Sequence, residues 1–302
     1  MRVNFIEVSL MKNVGTVKQI WRYPVKGMAG EQVEQCAIGP LGLQADRTWA
    51  LRDSIRQEIQ SCKFRPELLA CTAKSGRDDS DHHVDITFPD GFLLSSKSDD
   101  IHQQLSELVG FKSTLEPLQP ITNPDFYRRY KSADHDWLAE LKHTFTREPG
   151  EQLPDFSDFP EQAQDFVTLP GTFFLVTPFH IITTSTMHEM QQRLPQADWD
   201  IRRFRPNIVI ETYDEGFEEQ DWIGKVLTIQ RAAIQGGNNH GITIDCQATA
   251  PRCGAVTRKQ QGIDSDKSML RTIVKEADQN LGIYGSVRDT GTLQVGDTVY
   301  LD

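Results

Sequence analysis

Apolar positions in the first half of the chain recur at the spacing of short strands. Thr16–Tyr23 reads as an extended segment stopped by Pro24. Arg47–Leu51, Leu68–Ala73 and Val84–Phe88 follow as further strand candidates, and Pro89-Asp90-Gly91 turns the last of these back into Phe92–Leu94 as a hairpin. Two helices interrupt them. In the first, Ile101, Leu105 and Leu108 share a face, Ser98 is a candidate cap and Gly110 the stop. Trp137, Leu138 and Leu141 mark a second, shorter helix after Asp134.

The second half alternates more. Phe173–Ile182, Asn207–Glu211, Trp222–Ile229 and Gly241–Cys246 read as extended, and Thr183–Leu194 as a helix with a Thr cap. Asp264–Leu281 carries the clearest helical period: Met269, Leu270, Ile273, Val274, Ala277 and Leu281 lie on one face before Gly282. Gly296-Asp297 turns the tail into a last strand. Many short strands at this pitch predict barrels or sandwiches. Between the halves, residues 144–171 are acidic, rich in Pro and Phe, and aperiodic. The predicted division is an N-terminal β domain over 12–135, a linker or lid over 136–171, and a second domain over 172–302.

A length of 302 residues fits about two domains and a core that needs no disulfide or metal to fold. The net charge of −11 argues against a nucleic-acid scaffold, though a local basic pocket for a small anion remains open. No apolar run approaches the roughly 20 residues of a membrane span, and Glu7 breaks the apolar N-terminal stretch, so neither membrane nor export is expected. Met11-Lys12 is a candidate start, which makes residues 1–10 an extension. Cys36, Cys62, Cys71, Cys246 and Cys253 are odd in number and lack CxxC spacing, as free thiols in a reducing compartment would be; the expected address is cytoplasmic.

There is no HExxH, P-loop, GxSxG or GxGxxG pattern. His82-His83 and His135 sit among aspartates, as solvated loops do, and His180 and His188 fall in or near apolar segments. Three segments carry candidate chemistry. Cys253 lies between Arg252 and Gly254 in a loop leaving a strand; a guanidinium stabilises a thiolate, the form that attacks or ligates a soft metal. A buried inert cysteine fits the same residues. Cys246 is a candidate resolving thiol or a packing residue. Arg202, Arg203 and Arg205 precede Pro206-Asn207, either as a site for phosphate or carboxylate oxygens or as a strand entrance paired with Asp198 and Asp200. Tyr23-Pro24-Val25-Lys26-Gly27 and Asp46-Arg47-Thr48-Trp49 are each weak alone.

Taken in order, these segments resemble the MOSC family, the molybdenum-cofactor sulfurase C-terminal domain proteins, in the long form with an N-terminal β-barrel domain. The resemblance rests on Val17–Gly27, Gly42–Trp49, Ile182–Met187, Phe204–Val209, Pro251-Arg252-Cys253 and Gly291–Asp297. It implies a mainly β fold with flanking helices, a barrel in each half. In the amidoxime-reducing branch it implies a molybdopterin, the molybdenum cofactor, whose metal is held by one cysteine. Pyridoxal phosphate is not expected. Carried over position by position, Cys253 matches the metal ligand and catalytic residue. Lys26, Arg47, Arg205 and Arg252 match cationic cofactor contacts, Thr183 and Asn207 polar ones, and Tyr284 a nearby aromatic. Pro251 and Gly27 depart from the serines common in the family. Residues 144–171 and 236–240 have no counterpart in the resemblance.

The implied function is an oxidoreductase that reduces small N-hydroxylated compounds with electrons from a separate reductase, since no iron–sulfur cysteine cluster follows. Two alternatives stand beside it. One is a carrier, of sulfur as a Cys253 persulfide or of the molybdenum cofactor; the other is a degenerate member of the family that binds some other anion.

Overall fold

The computed structural model describes residues 11–76, 83–132, 135–155, 164–231 and 241–302. His82, Asp134, Pro160, 236–240 and the 1–10 extension, all singled out in the sequence, lie outside them.

The fold is mainly β with four helices among the described residues, built around one closed seven-stranded barrel. Around the barrel the strands run Lys12–Arg22, Ile208–Thr212, Phe179–Thr183, Asn280–Asp289, Ile242–Pro251, Val226–Gln230 and Thr298–Leu301, and Lys12–Arg22 pairs again with Thr298–Leu301. Closure removes every sheet edge from the barrel wall. The interior is filled by β-branched and aromatic side chains, among them Val17, Ile181, Ile210, Ile244 and Ile283, with Trp222 beside them, all nearly inaccessible to water. Full burial of each such side chain stabilises the fold by about 1.5–3 kcal/mol.

The barrel of the second half is closed by a strand from the first. Gly15–Ile20 pairs antiparallel with Ile208–Thr212, with a bulge between Val17 and Gln19. Gly291–Gln294 returns the exchange by pairing with Gln35–Gly39. The N-terminal half adds two three-stranded sheets, one centred on Trp49–Asp53 and one on Val84–Thr87, over their own core of Val25, Met28, Leu51, Leu68 and Ile86. Helices Thr184–Arg193 and Lys267–Glu276 pack outside the barrel through Met190, Met269, Leu270 and Ile273.

Four predicted elements differ. Leu68–Ala73 is a 3-10 turn, Pro66–Ala70, followed by the strand Thr72–Ser75; Pro66 opens the turn and Leu68 and Leu69 are buried in succession rather than in alternation. The strand read over Phe173–Ile182 begins only at Phe179, after Pro178, which has no N–H for a ladder. Trp222 belongs to a 3-10 turn ending before Gly224, and the strand starts at Val226. The long helix over 264–281 spans only Lys267–Glu276, because Asp278 and Gln279 take left-handed φ values of 43° and 61° and turn the chain into the next strand. Ala277 and Leu281 still reach the same core. The first helix, Ile101–Val109, ends at Gly110 as expected, with φ 72°, but Asp100 rather than Ser98 is its N-cap residue.

Candidate functional site

Where the barrel's strand ends meet the N-terminal half, the chain encloses a cavity of about 280 Å³. Lys26, Arg47, Arg205, Asn207, Arg252, Cys253 and Tyr284 all line it.

Lys26 follows the Lys12–Arg22 strand, in a loop zipped to the next segment by Lys26 N–H donating to the Trp49 carbonyl (2.8 Å) and Trp49 N–H to that of Pro24 (3.0 Å). Gly27 stands at φ 84°, and a Cβ there would sit 2.9 Å from the Cys62 nitrogen, so the turn has no room for a side chain. The Lys26 side chain is buried and donates to the Phe173 carbonyl at 2.9 Å. Burial, reinforced by the charges of Lys63 and Arg47, lowers its pKa to about 7.

Asp46 is the hub beneath the cations. It is almost fully buried and accepts from Tyr23 N–H (2.6 Å), from Asn207 Nδ2 (3.0 Å) and from Arg47. Asn207 is held from the barrel side, its N–H donating to the His180 carbonyl at 2.8 Å. Arg47 and Arg205 both stand in the left-handed region, at φ 50° and 56°. Their guanidiniums lie 5.0 and 4.3 Å from the centroid of the Tyr23 ring, and the Tyr23 hydroxyl donates to the Pro206 carbonyl at 3.0 Å. Non-glycine residues held in that region at an enclosed site mark stored strain.

Arg205 donates to the Met28 carbonyl, and Arg252, also buried, donates to the carbonyls of Ala250 and Phe204, both at 3.0 Å. Among the described residues, Lys26, Arg205 and Arg252 make no salt bridge with a carboxylate, whereas Arg47 has Asp46. Cys253 follows the Ile242–Pro251 strand as the N-cap residue of the 3-10 turn Gly254–Thr257, and it is partly exposed. The other four cysteines are buried. Tyr284, on the Asn280–Asp289 strand, is the register partner of His180, and their rings meet edge-on at 5.9 Å. His180 Nε2 donates to the Leu281 carbonyl at 3.0 Å, and burial holds its pKa well below the usual imidazole value.

Thr183 stands apart from the cavity. Its hydroxyl accepts from Thr186 N–H at 3.2 Å, capping the helix, and donates to the buried Glu219 at 2.7 Å. The arginine cluster divides: Arg202 pairs with Asp200 and Arg203 with Asp198 (3.7 Å), as the strand-entrance reading has it, Arg203 also donating to the carbonyls of Asp198 and Asp264, while Arg205 alone of the three lies over Tyr23. Cys246 packs in the barrel interior, where burial pushes its thiol up to about 12. His135 is not simply solvated, since it meets Glu140 at 2.9 Å.

Sequence reasoning missed Cys62, buried on the same cavity with its thiol pKa raised by burial and tempered by Arg205. The lysine beside it, Lys63, was its sole local signal. Tyr23 was legible as a motif letter but not as the ring between two arginines, a role only the fold creates.

A family model described as the MOSC domain matches residues 170–300, and one described as the MOSC N-terminal beta barrel domain matches residues 14–119. The chain is 26% identical to a protein named "Mitochondrial amidoxime reducing component 2" from Bos taurus, over 96% of this chain and 84% of that one. It is 24% identical to "Mitochondrial amidoxime-reducing component 1" from Homo sapiens, over 97% and 84% respectively. Among solved structures, the YUAD protein from Bacillus subtilis superposes with a TM-score of 0.42 at 9% identity, over 97% of this chain and 98% of that one. Among the described residues, no helix is long and apolar enough to cross a membrane.

Proposed function

The chain belongs to the MOSC-domain proteins that carry the N-terminal β-barrel domain, and from that premise we propose that it binds a molybdenum cofactor in this cavity and reduces N-hydroxylated compounds. The observation that carries the reading is the charge of the site. Among the described residues, Lys26, Arg205 and Arg252 line the cavity together, hydrogen-bonded to carbonyls or set over an aromatic face and without a salt bridge, around a partly exposed thiol. Charge held this way is unfavourable without a counter-ion. An anionic, phosphate-bearing cofactor with a thiolate-seeking metal is the class of ligand that satisfies both features.

In this reading Cys253 holds the metal, Arg205, Arg252 and Lys26 hold the anionic part, and Asn207 and Asp46 keep Arg47 in place. Tyr284 borders the same space. When bound, the cofactor supplies two-electron reduction of the N–O bond, R–NHOH + 2 e⁻ + 2 H⁺ → R–NH₂ + H₂O. The protein's own contribution is binding, orientation and protons. Lys26 Nζ titrates near neutrality, so it takes up a proton as negative charge enters beside it. In this reading the electrons come from a separate reductase.

The test is the metal content of protein expressed in a host that makes the cofactor, with Cys253→Ser in parallel. Near-stoichiometric molybdenum that is lost in the variant, with turnover of an amidoxime under chemical reductant, is the expected result. Metal in neither protein, with a labile sulfur on Cys253 by mass spectrometry, would move the function to sulfur carriage. Equal metal in both would remove Cys253 as ligand.

A further inference from the structure

Between the two matched family stretches, 14–119 and 170–300, described residues of the helix Trp137–Phe145 and of 164–169, with Arg129, build one side of the cavity. The same cavity is lined by Trp137, Leu141 and Phe145 from the helix Trp137–Phe145, with Phe166 and Leu169 from the segment that follows. Phe64 completes this apolar wall from the N-terminal half, its ring parallel to His143 at 6.0 Å. The cavity therefore combines cations around Cys253 with an apolar wall from this helix and segment, and the end of the helix, at Thr144 and Thr146, abuts the Cys253–Gly254 loop. Phe64 and Leu169 remain 43% and 49% exposed, apolar surface at the cavity that a ligand would cover.

One side chain ties the wall together. Arg129 pairs with Glu140 of the helix, and its guanidinium lies 5.1 Å from the Trp137 ring centroid. Its other nitrogens donate to the carbonyls of Gln164 (3.2 Å) and Phe166 (3.1 Å), and its backbone N–H to that of Asp165 (2.8 Å). His135 meets the second oxygen of Glu140 at 2.9 Å. Arg129 thus fixes the helix against the segment carrying Phe166 and Leu169, two pieces that share no strand pairing.

We propose that this wall selects the substrate: it receives the apolar body, an alkyl chain or aryl ring, of an N-hydroxylated compound whose N–OH group faces Cys253, with Arg129 as the wall's positioning residue. The proposal rests on the function argued above, and it adds the substrate's other half. A small polar N-hydroxy compound would leave the wall wet, whereas each methylene that reaches it strengthens binding up to about fourfold.

Calorimetric titration of the holoprotein with octanohydroxamic and acetohydroxamic acid tests this, because the two share a head group and differ only in the tail. The longer acid is expected to bind at least about tenfold more tightly. That ratio should shrink several-fold in Trp137→Ala, Leu141→Ala and Arg129→Met, with an intermediate value in Arg129→Lys, which keeps the charge beside Glu140. Using three positions guards against one variant that fails to fold. Equal affinities in the wild type, or a ratio untouched in every folded variant, would overturn the wall. The same titrations on cofactor-free protein separate the two ideas. A tail preference that persists there, in a chain that never acquires molybdenum, would retain the wall and retire the redox reading.

Discussion

The guanidinium of Arg205 lies 4.3 Å from the centroid of the Tyr23 ring, and this contact lets a second arginine share the same small space. Arg47 is 5.0 Å from that centroid, and the ring's negative faces offset part of the repulsion between the two cations. Each contact is worth about 0.5–2 kcal/mol. Tyr23→Leu is therefore expected to weaken retention of an anionic cofactor by about two- to thirtyfold, read as molybdenum per protein after dialysis. Tyr23→Phe keeps the ring and should retain it. That variant loses only the bond to the Pro206 carbonyl, about 1 kcal/mol of stability. Equal loss in both variants would mean that the hydroxyl, not the ring, does the positioning.

Lys26 makes stability and ligand binding pull in opposite directions. The unfolded chain holds this proton up to about pH 10.5, while the native protein releases it at about 7. Unfolding of the ligand-free protein therefore takes up a proton between those values, and this group makes stability rise with pH across that window. Lys26→Met abolishes this proton uptake. Urea titrations from pH 6 to pH 9 should show the variant gaining most over wild type at the acid end. Anion binding has the opposite sign: it weakens as pH rises through 7 in the wild type, and in the variant it is weak throughout. A wild-type anion affinity flat from pH 6 to 9 would remove Lys26 from the site.

Asp46 joins three segments through its hydrogen bonds with Tyr23, Asn207 and Arg47. Asp46→Ala strands all three donors, one of them a charge. A loss of about 3–5 kcal/mol is expected in denaturant unfolding, and less in Asp46→Asn, which retains acceptor capacity.

Gly27 is the tightest point of the Lys26 loop. At φ 84°, with the Cys62 nitrogen 2.9 Å from a built Cβ, both Gly27→Ala and Gly27→Ser should destabilise by about 1–3 kcal/mol and displace Lys26. Thermal unfolding and cofactor content measured together would check this. A stable Gly27→Ser with full cofactor would show that the loop relaxes freely.

The chain's own order of residues determined a good deal. The extended run Thr16–Tyr23 stopped by Pro24, β-branched runs such as Ile208–Ile210, and the caps at Thr183 and Gly110 are local, so much of the barrel wall and these helix ends were legible before any fold was known. The cations and Cys253 were legible as motifs, because each sits in a short, chemically unusual segment. What only the tertiary structure decided is which of them meet. Lys26 and Arg47 reach Arg205, Arg252 and Cys253 only because an N-terminal strand closes the barrel of the second half, a pairing across about 190 residues that no local pattern encodes. Thr183 matched by motif but turned to cap a helix, since its hydroxyl found a buried carboxylate nearer than the cavity. Arg129 carried no local signal of its place, and those of Tyr23 and Cys62, a motif letter and a neighbouring lysine, did not say what they would meet. Their surroundings are assembled from segments far apart in sequence, and a side chain's environment, unlike its propensity, exists only once the chain has folded.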